Sequence, residues 1–175
     1  MNGIPAPLIF VSSNQINVQA PVQLTGPTVE IVISTIAGPS ATVTAPLGSA
    51  QPGIFFDTAS GLGAVIHNSD GKPTTEHPAR AGDFLQIYAT GLGAVSPAVA
   101  AGFPAPPSPP SRTVSQPQVS IAGQSAPVGF AGLAPGFSGL YQLNVQVPDG
   151  VPPGRQRVGL TVNGLRSNEV FINLQ

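Results

Sequence analysis

The chain of 175 residues has no cysteine and no tryptophan, one methionine, and few charges: six basic and seven acidic side chains. Without cysteine there are no disulfides, no thiolate metal ligands and no cysteine nucleophile. A net charge of −1 leaves no basic excess to neutralise phosphates, which argues against nucleic acid as a partner. No run of eighteen apolar residues occurs, so no membrane-spanning helix and no membrane insertion are expected. Glycine and proline number 21 each but follow no three-residue period, which excludes collagen. Met1-Asn2-Gly3-Ile4-Pro5 has neither a basic nor an apolar leader region, so no signal peptide is expected within these residues.

What is present is apolar. Hydrophobic residues make up 41% of the chain and mean hydropathy is +0.23, unlike a solvated disordered chain. The length suits one ordinary domain or two small ones. A nearly neutral surface favours association. Burying Ser, Thr, Asn or Gln against a neighbour costs less than burying Lys or Glu. Low charge alone also fits an unassociated secreted domain.

The apolar residues alternate. Ile16 and Val18 alternate with Gln15, Asn17 and Gln19. Val29, Ile31 and Ile33 share a face, as do Leu85, Ile87 and Ala89. Val119 and Ile121 follow, then Leu143, Val145 and Val147, then Val158, Leu160 and Val162. Val170, Ile172 and Leu174 close the chain. Period two with Gly or Pro between runs predicts short strands and almost no helix. The expected fold is all-β: two immunoglobulin-like sandwich, or partly open barrel, units.

An internal repeat organises these strands. Residues 15–21, Gln-Ile-Asn-Val-Gln-Ala-Pro, match residues 142–148, Gln-Leu-Asn-Val-Gln-Val-Pro. Gly3 to Pro7 match Gly123 to Pro127. Downstream, 29–33 is aligned with 158–162, and Ala37-Gly38 with Asn163-Gly164. Residues 1–49 thus repeat roughly 122–175, with extra residues near Leu133 to Gly139 in the second copy. Strand candidates at 53–56, 63–67, 83–90 and 118–121 precede the second copy and bring it to about seven strands. The expected division is therefore an incomplete unit at 1–49 and a complete sandwich at 50–175. A sandwich lacking strands exposes an edge and an open core. Either the rest of the chain closes it, another chain does, or the chain is a piece of a longer protein.

Three blocks carry a family resemblance. They are Asn2 to Pro7 with Ser13 to Pro21, Pro78 to Asp83 with Tyr88 to Pro97, and Ala131 to Val145. Together the chain resembles, over essentially its whole length, the uncharacterised C-terminal β-domain of acidobacterial (Solibacter-type) secreted proteins. The resemblance implies an extracellular or cell-surface setting and no enzymatic activity, and supplies no catalytic residues. Members usually follow a signal peptide and a larger N-terminal region, from which this chain departs. That departure favours a free-standing, self-associating subunit.

Candidate sites carry little chemistry. His67 and His77, with Asp70 and Glu76, have donor atoms for a metal. But Asn68-Ser69-Asp70-Gly71-Lys72 reads as a turn in an exposed loop, without the alternating oxygen ligands of a calcium loop. No Gly-x-Ser-x-Gly elbow is present, and seven acids are too few to make a converging pair expected. Asp83, after Gly82, reads as a turn cap. Gly-Leu-Gly-Ala-Val at 61–65 and 91–95 lacks the third glycine and helix of a dinucleotide site. The proline run at 104–110 reads as a stiff polyproline II surface loop. Tyr88 and Tyr141 either form a sugar platform or cap the core.

These readings give no catalytic residue, cofactor or metal. They predict a structural subunit whose partners are copies of itself, joined as a homopolymer through strand edges. Ile4, Leu8, Phe10, Ile16 and Val18 are the expected interface of the first unit. Val170, Ile172 and Leu174 are the expected donor or docking edge. The alternative is an adhesion or carbohydrate-binding module with polysaccharide as ligand.

Overall fold

Gly and Pro interrupt the chain too often for a helix to nucleate, and the alternating runs settle into short strands. The computed structural model describes residues 1–175 and is all-β, without a helix. Residues 1–49 (unit 1) hold β1 (Leu8–Val11), β2 (Ile16–Val18), β3 (Thr28–Ile31), β4 (Ser34–Thr35), β5 (Gly38–Pro39) and β6 (Val43–Pro46). Residues 50–175 (unit 2) open with β7 (Gly53–Ile54), β8 (Val65–His67), β9 (Phe84–Thr90), β10 (Val95–Ser96), β11 (Arg112–Thr113) and β12 (Gln118–Ile121). They continue with β13 (Gln124–Ala126), β14 (Val128–Leu133), β15 (Tyr141–Gln146), β16 (Gly154–Val162), β17 (Leu165–Arg166) and β18 (Val170–Leu174).

Unit 2 is a sandwich of two sheets. One has the order β10-β11-β14-β15-β9-β7, with β8 also on β9. The other has the order β13-β12-β16-β17, with β18 also on β16. Alternate residues of β9, β15, β16 and β18 point between the sheets and supply about half of one core of 21 buried residues. Every one of those residues lies in unit 2. Unit 1 instead makes three separate antiparallel pairs, β1-β2, β3-β6 and β4-β5.

The repeat holds at the level of individual residue pairs. Ile31 pairs with Val43 and Val29 with Ala45; Val158 pairs with Val170 and Gln156 with Ile172. Thr35–Gly38 corresponds to Val162–Leu165. The Ser40 hydroxyl accepts from the Ile33 N–H at 3.1 Å, as the Ser167 hydroxyl does from Leu160 at 3.1 Å. One constant shift of 127 relates all these pairs, and it corrects the sequence alignment of 29–33 with 158–162. Ile31 corresponds to Val158 and Ile33 to Leu160. Ile36-Ala37, not Ala37-Gly38, takes the place of Asn163-Gly164. The misalignment has a conformational cause. Asn163 and Gly164 both have positive φ, as the tight hairpin turn requires, whereas in the matching turn of unit 1 Gly38 alone does.

The β1-β2 hairpin repeats as well. Leu8–Val18, Phe10–Asn17 and Val11–Ile16 correspond to Val128–Val145, Phe130–Asn144 and Ala131–Leu143, with the same bulge after the first pair. Here β1 is shifted by 120 and β2 by 127, which locates the extra residues of the second copy between β14 and β15.

If only unit 2 has a closed core, equivalent truncations should differ in cost. Leu160→Ala is expected to destabilise by about 2–5 kcal/mol. Ile33→Ala, at the matching position, is expected to stay within about 0.5 kcal/mol. Urea unfolding followed by circular dichroism measures both, and equal costs would show that the inner face of unit 1 is covered.

Candidate assembly surface

The two copies share their strand pairings but differ in their surroundings. In unit 2, β15 lies against β9 through six residue pairs, and β16 lies against β12 through four. In unit 1 no strand pairs the outer edge of β2, and none lies beside β3 in the place of β12. The side chains record the difference. Val11, Ile33 and Val43 are 58%, 47% and 61% exposed, while Ala131, Leu160 and Val170 at the matching positions are 5%, 2% and 0% exposed. Burying a side chain the size of Val or Ile stabilises by about 1.5–3 kcal/mol, so the open face is a substantial reservoir for association.

The sequence-predicted interface residues fall into two groups. Leu8, Phe10 and Ile16 are exposed on the β1-β2 hairpin, with Val18 half-buried. Ile4 is half-buried beside the Asn2-Gly3 turn, where its N–H donates to the Met1 carbonyl at 2.9 Å. Val170, Ile172 and Leu174 are corrected: they do not form a docking edge. All three point into the unit 2 core, and β16 pairs one side of β18. The other side is occupied from within the chain. The Gly63 N–H donates to the Phe171 carbonyl, the Phe171 N–H to Gly61, the Ala79 N–H to Asn173, and the Gln175 N–H to Ala79. Alternation marks Ile33, on the face of Val29 and Ile31, but does not single out Val11 and Val43; the repeat in its proper register does.

Unit 1 leans on unit 2 through Gln19, whose Oε1 accepts from the Gly102 N–H at 2.7 Å. A Cβ on Gly102 would lie 2.9 Å from the Pro7 ring, and one on Gly139 would lie 2.9 Å from the Gln19 side chain. The proline loop after Phe103 runs along this region and is exposed from Pro106 to Pro110.

The other candidates are tied into the fold. His67 is buried, contrary to the exposed-loop expectation, because β8 alternation turns it inward beside Val65. Its Nε2 donates to the His77 carbonyl at 2.8 Å, and its Nδ1 lies 3.8 Å from Asp83. The His67 and His77 rings stack with centroids 4.6 Å apart. No group of three or more His, Asp or Glu side chains is placed to hold a metal. Asp83 caps its turn by accepting from the Arg80 N–H at 2.9 Å. The Tyr141 hydroxyl donates to the Gly93 carbonyl at 2.5 Å, and burial pushes its pKa up. Tyr88 donates to Gln86 at 3.1 Å. A hollow of about 530 Å³ lies around β12 and β13, and only 3 of its 11 lining residues are hydrophobic. Small-molecule pockets are mostly apolar, so this hollow is a poor fit for one.

No family model matches the chain, and no curated protein is significantly similar to it.

Two exposed carboxylates set a pH dependence. Asp57 is held below the usual carboxylate range, chiefly by the hydrogen bond from the Ser60 hydroxyl. Asp70 is lowered chiefly by the Lys72 N–H. A lowered pKa in the folded state gives stability that is present above the ordinary carboxylate value and is lost as pH falls through the folded one. Replacing both with Asn should therefore flatten the decline of Tm below about pH 4. An unchanged acid limb in a thermal melt series would refute this assignment.

Proposed function

We propose that the protein is a non-enzymatic extracellular structural subunit that self-assembles through β-strand edges into a filament, tube or surface layer. The observation that carries this reading is the exposure of Val11, Ile33 and Val43 in unit 1, whose counterparts Ala131, Leu160 and Val170 in unit 2 are buried. Two open places, the outer edge of β2 and the flank of β3, lie in different sheets. A polymer needs at least two such contacts, or one heterologous contact, because a single isologous contact stops at a dimer. The scarcity of charge supports the same reading, since there is little like-charge repulsion between copies. The extracellular setting rests on the resemblance to secreted β-domains. Polysaccharide binding is less well supported, because the ring of Tyr141 is half-buried and its hydroxyl is already bonded.

Light scattering behind a sizing column, with electron microscopy of the concentrated protein, tests the proposal. Ordered polymers of one subunit are expected. Ile33→Lys combined with Val43→Lys should keep the fold, since both side chains are exposed, and reduce the polymer to dispersed protein. A native protein that stays monomeric at high concentration would overturn the reading.

A further inference from the structure

The repeat keeps one surface unchanged. Phe10, Gln15, Asn17 and Gln19 in unit 1 stand at the places of Phe130, Gln142, Asn144 and Gln146 in unit 2. All four are identical, and all four face outward, away from the core. Inward positions of the same hairpin are less alike: Val11 and Ile16 stand where unit 2 has Ala131 and Leu143. On the other sheet the outward positions differ as well. There Glu30, Val32 and Thr44 take the places of Arg157, Gly159 and Phe171. Surface substitutions cost a fold little, so folding alone does not hold four outward residues fixed while inward ones change.

The retained side chains are also arranged alike. The Gln15 Nε2 donates to the Asn17 Oδ1 at 2.7 Å, and the Gln142 Nε2 to the Asn144 Oδ1 at 2.8 Å. These bonds orient the amides. Each pair is left with an Asn NH2 donor and a Gln carbonyl acceptor that have no partner in the chain. A phenylalanine lies directly across from each asparagine. In unit 2 the row continues onto β9, with Gln86 opposite Asn144 and Tyr88 opposite Gln142. The Gln86 amide is held at both ends: it accepts from the Tyr88 hydroxyl at 3.1 Å and donates to the Asn68 Oδ1 at 2.6 Å.

We propose that this face binds a neutral polysaccharide chain, at one site in each unit. Sugar hydroxyls both donate and accept, which suits a fixed amide donor beside a fixed amide acceptor, and an aromatic ring takes the C–H face of a sugar. The rows carry no charge; Arg112, 4.9 Å over the Phe130 ring, adds donors at the end of one. An open sheet face fits an extended chain, whereas a small free ligand is held in a cleft. Two copies of one site suit a ligand that itself repeats, because the second contact is then made at high effective concentration. Tyr141 packs against the core and takes no part.

Binding at this face is a second activity beside assembly and is tested separately. The probes are two neutral β-1,4-linked polysaccharides, glucomannan and galactomannan, titrated into the 175-residue protein by calorimetry, with the polyanion alginate as control. Saturable binding of at least one neutral polymer is expected, and none of alginate. Asn17→Ala and Asn144→Ala should each weaken binding by about tenfold, and together abolish it. Both side chains face outward, and circular dichroism checks that the variants keep the fold. A second readout needs no variant: mannopentaose should shift the side-chain NH2 signals of Asn17 and Asn144 in the NMR spectrum of the native protein. Absent binding of both neutral polymers, equal binding by the double variant, preference for alginate, or pentaose shifts confined to other residues would overturn the proposal. Polymers of the protein that ignore the polysaccharides would remove this site and leave the assembly reading standing. A monomer that binds them through Asn17 and Asn144 would do the reverse.

Discussion

The pairing of β16 with β12 is the contact on which the rest of the molecule turns. With β12 beside it, the strand over 154–162 runs unbroken, and Val158, Leu160 and Val162 are pressed into the core. The same nine positions in unit 1, residues 27–35, are split into β3 and β4. Residues 32–33 between them have no strand to pair with. The sequence there is no worse for a strand: Val32 and Ile33 are both β-branched. A strand is therefore decided here by its neighbour more than by its own residues.

Unit 1 nevertheless keeps the geometry of unit 2 in detail. The Ser40 and Ser167 hydroxyls hold the same amide, the bulges after Leu8 and Val128 coincide, and the Asn2 and Ala122 turns dock on the same carbonyl position. These are short-range devices: turns, bulges and side-chain caps that set register without a core. What unit 1 lacks is the long-range part, the strands that burial rewards. The division explains how a half-sandwich retains a defined shape while leaving Val11, Ile33 and Val43 exposed to solvent.

Much of this is legible in the sequence. Alternation at Leu85-Ile87-Ala89 and Leu143-Val145-Val147 marks the core strands, because period two buries every second residue of a strand and would scatter them around a helix. The repeat in Gln15 to Pro21 and Gln142 to Pro148 is visible because those stretches share residue identities. Its continuation is misaligned where identities fade, since hydrogen-bond register leaves no mark on residue type at Ile36-Ala37. The terminal strand reads as a free edge because the segments covering it, near Gly61 and Ala79, are loops with no alternating pattern. The burial of His67 is hidden because its neighbours Asn68 to Lys72 form a turn whose polarity masks the last inward position of β8.

The handling of edges elsewhere in the chain gives the open places in unit 1 their meaning. Gly61, Gly63 and Ala79 cover the outer side of β18 with backbone hydrogen bonds. The approach is close at Gly63, where a Cβ would lie 2.6 Å from Val170 Cγ2. On the other sheet, the Leu133 N–H donates to the Ser111 carbonyl and the Val114 N–H to Ala94, tying loops against β14 and β10. The flank of β3, by contrast, keeps the Val32 amide unpaired and Val32 and Ile33 exposed.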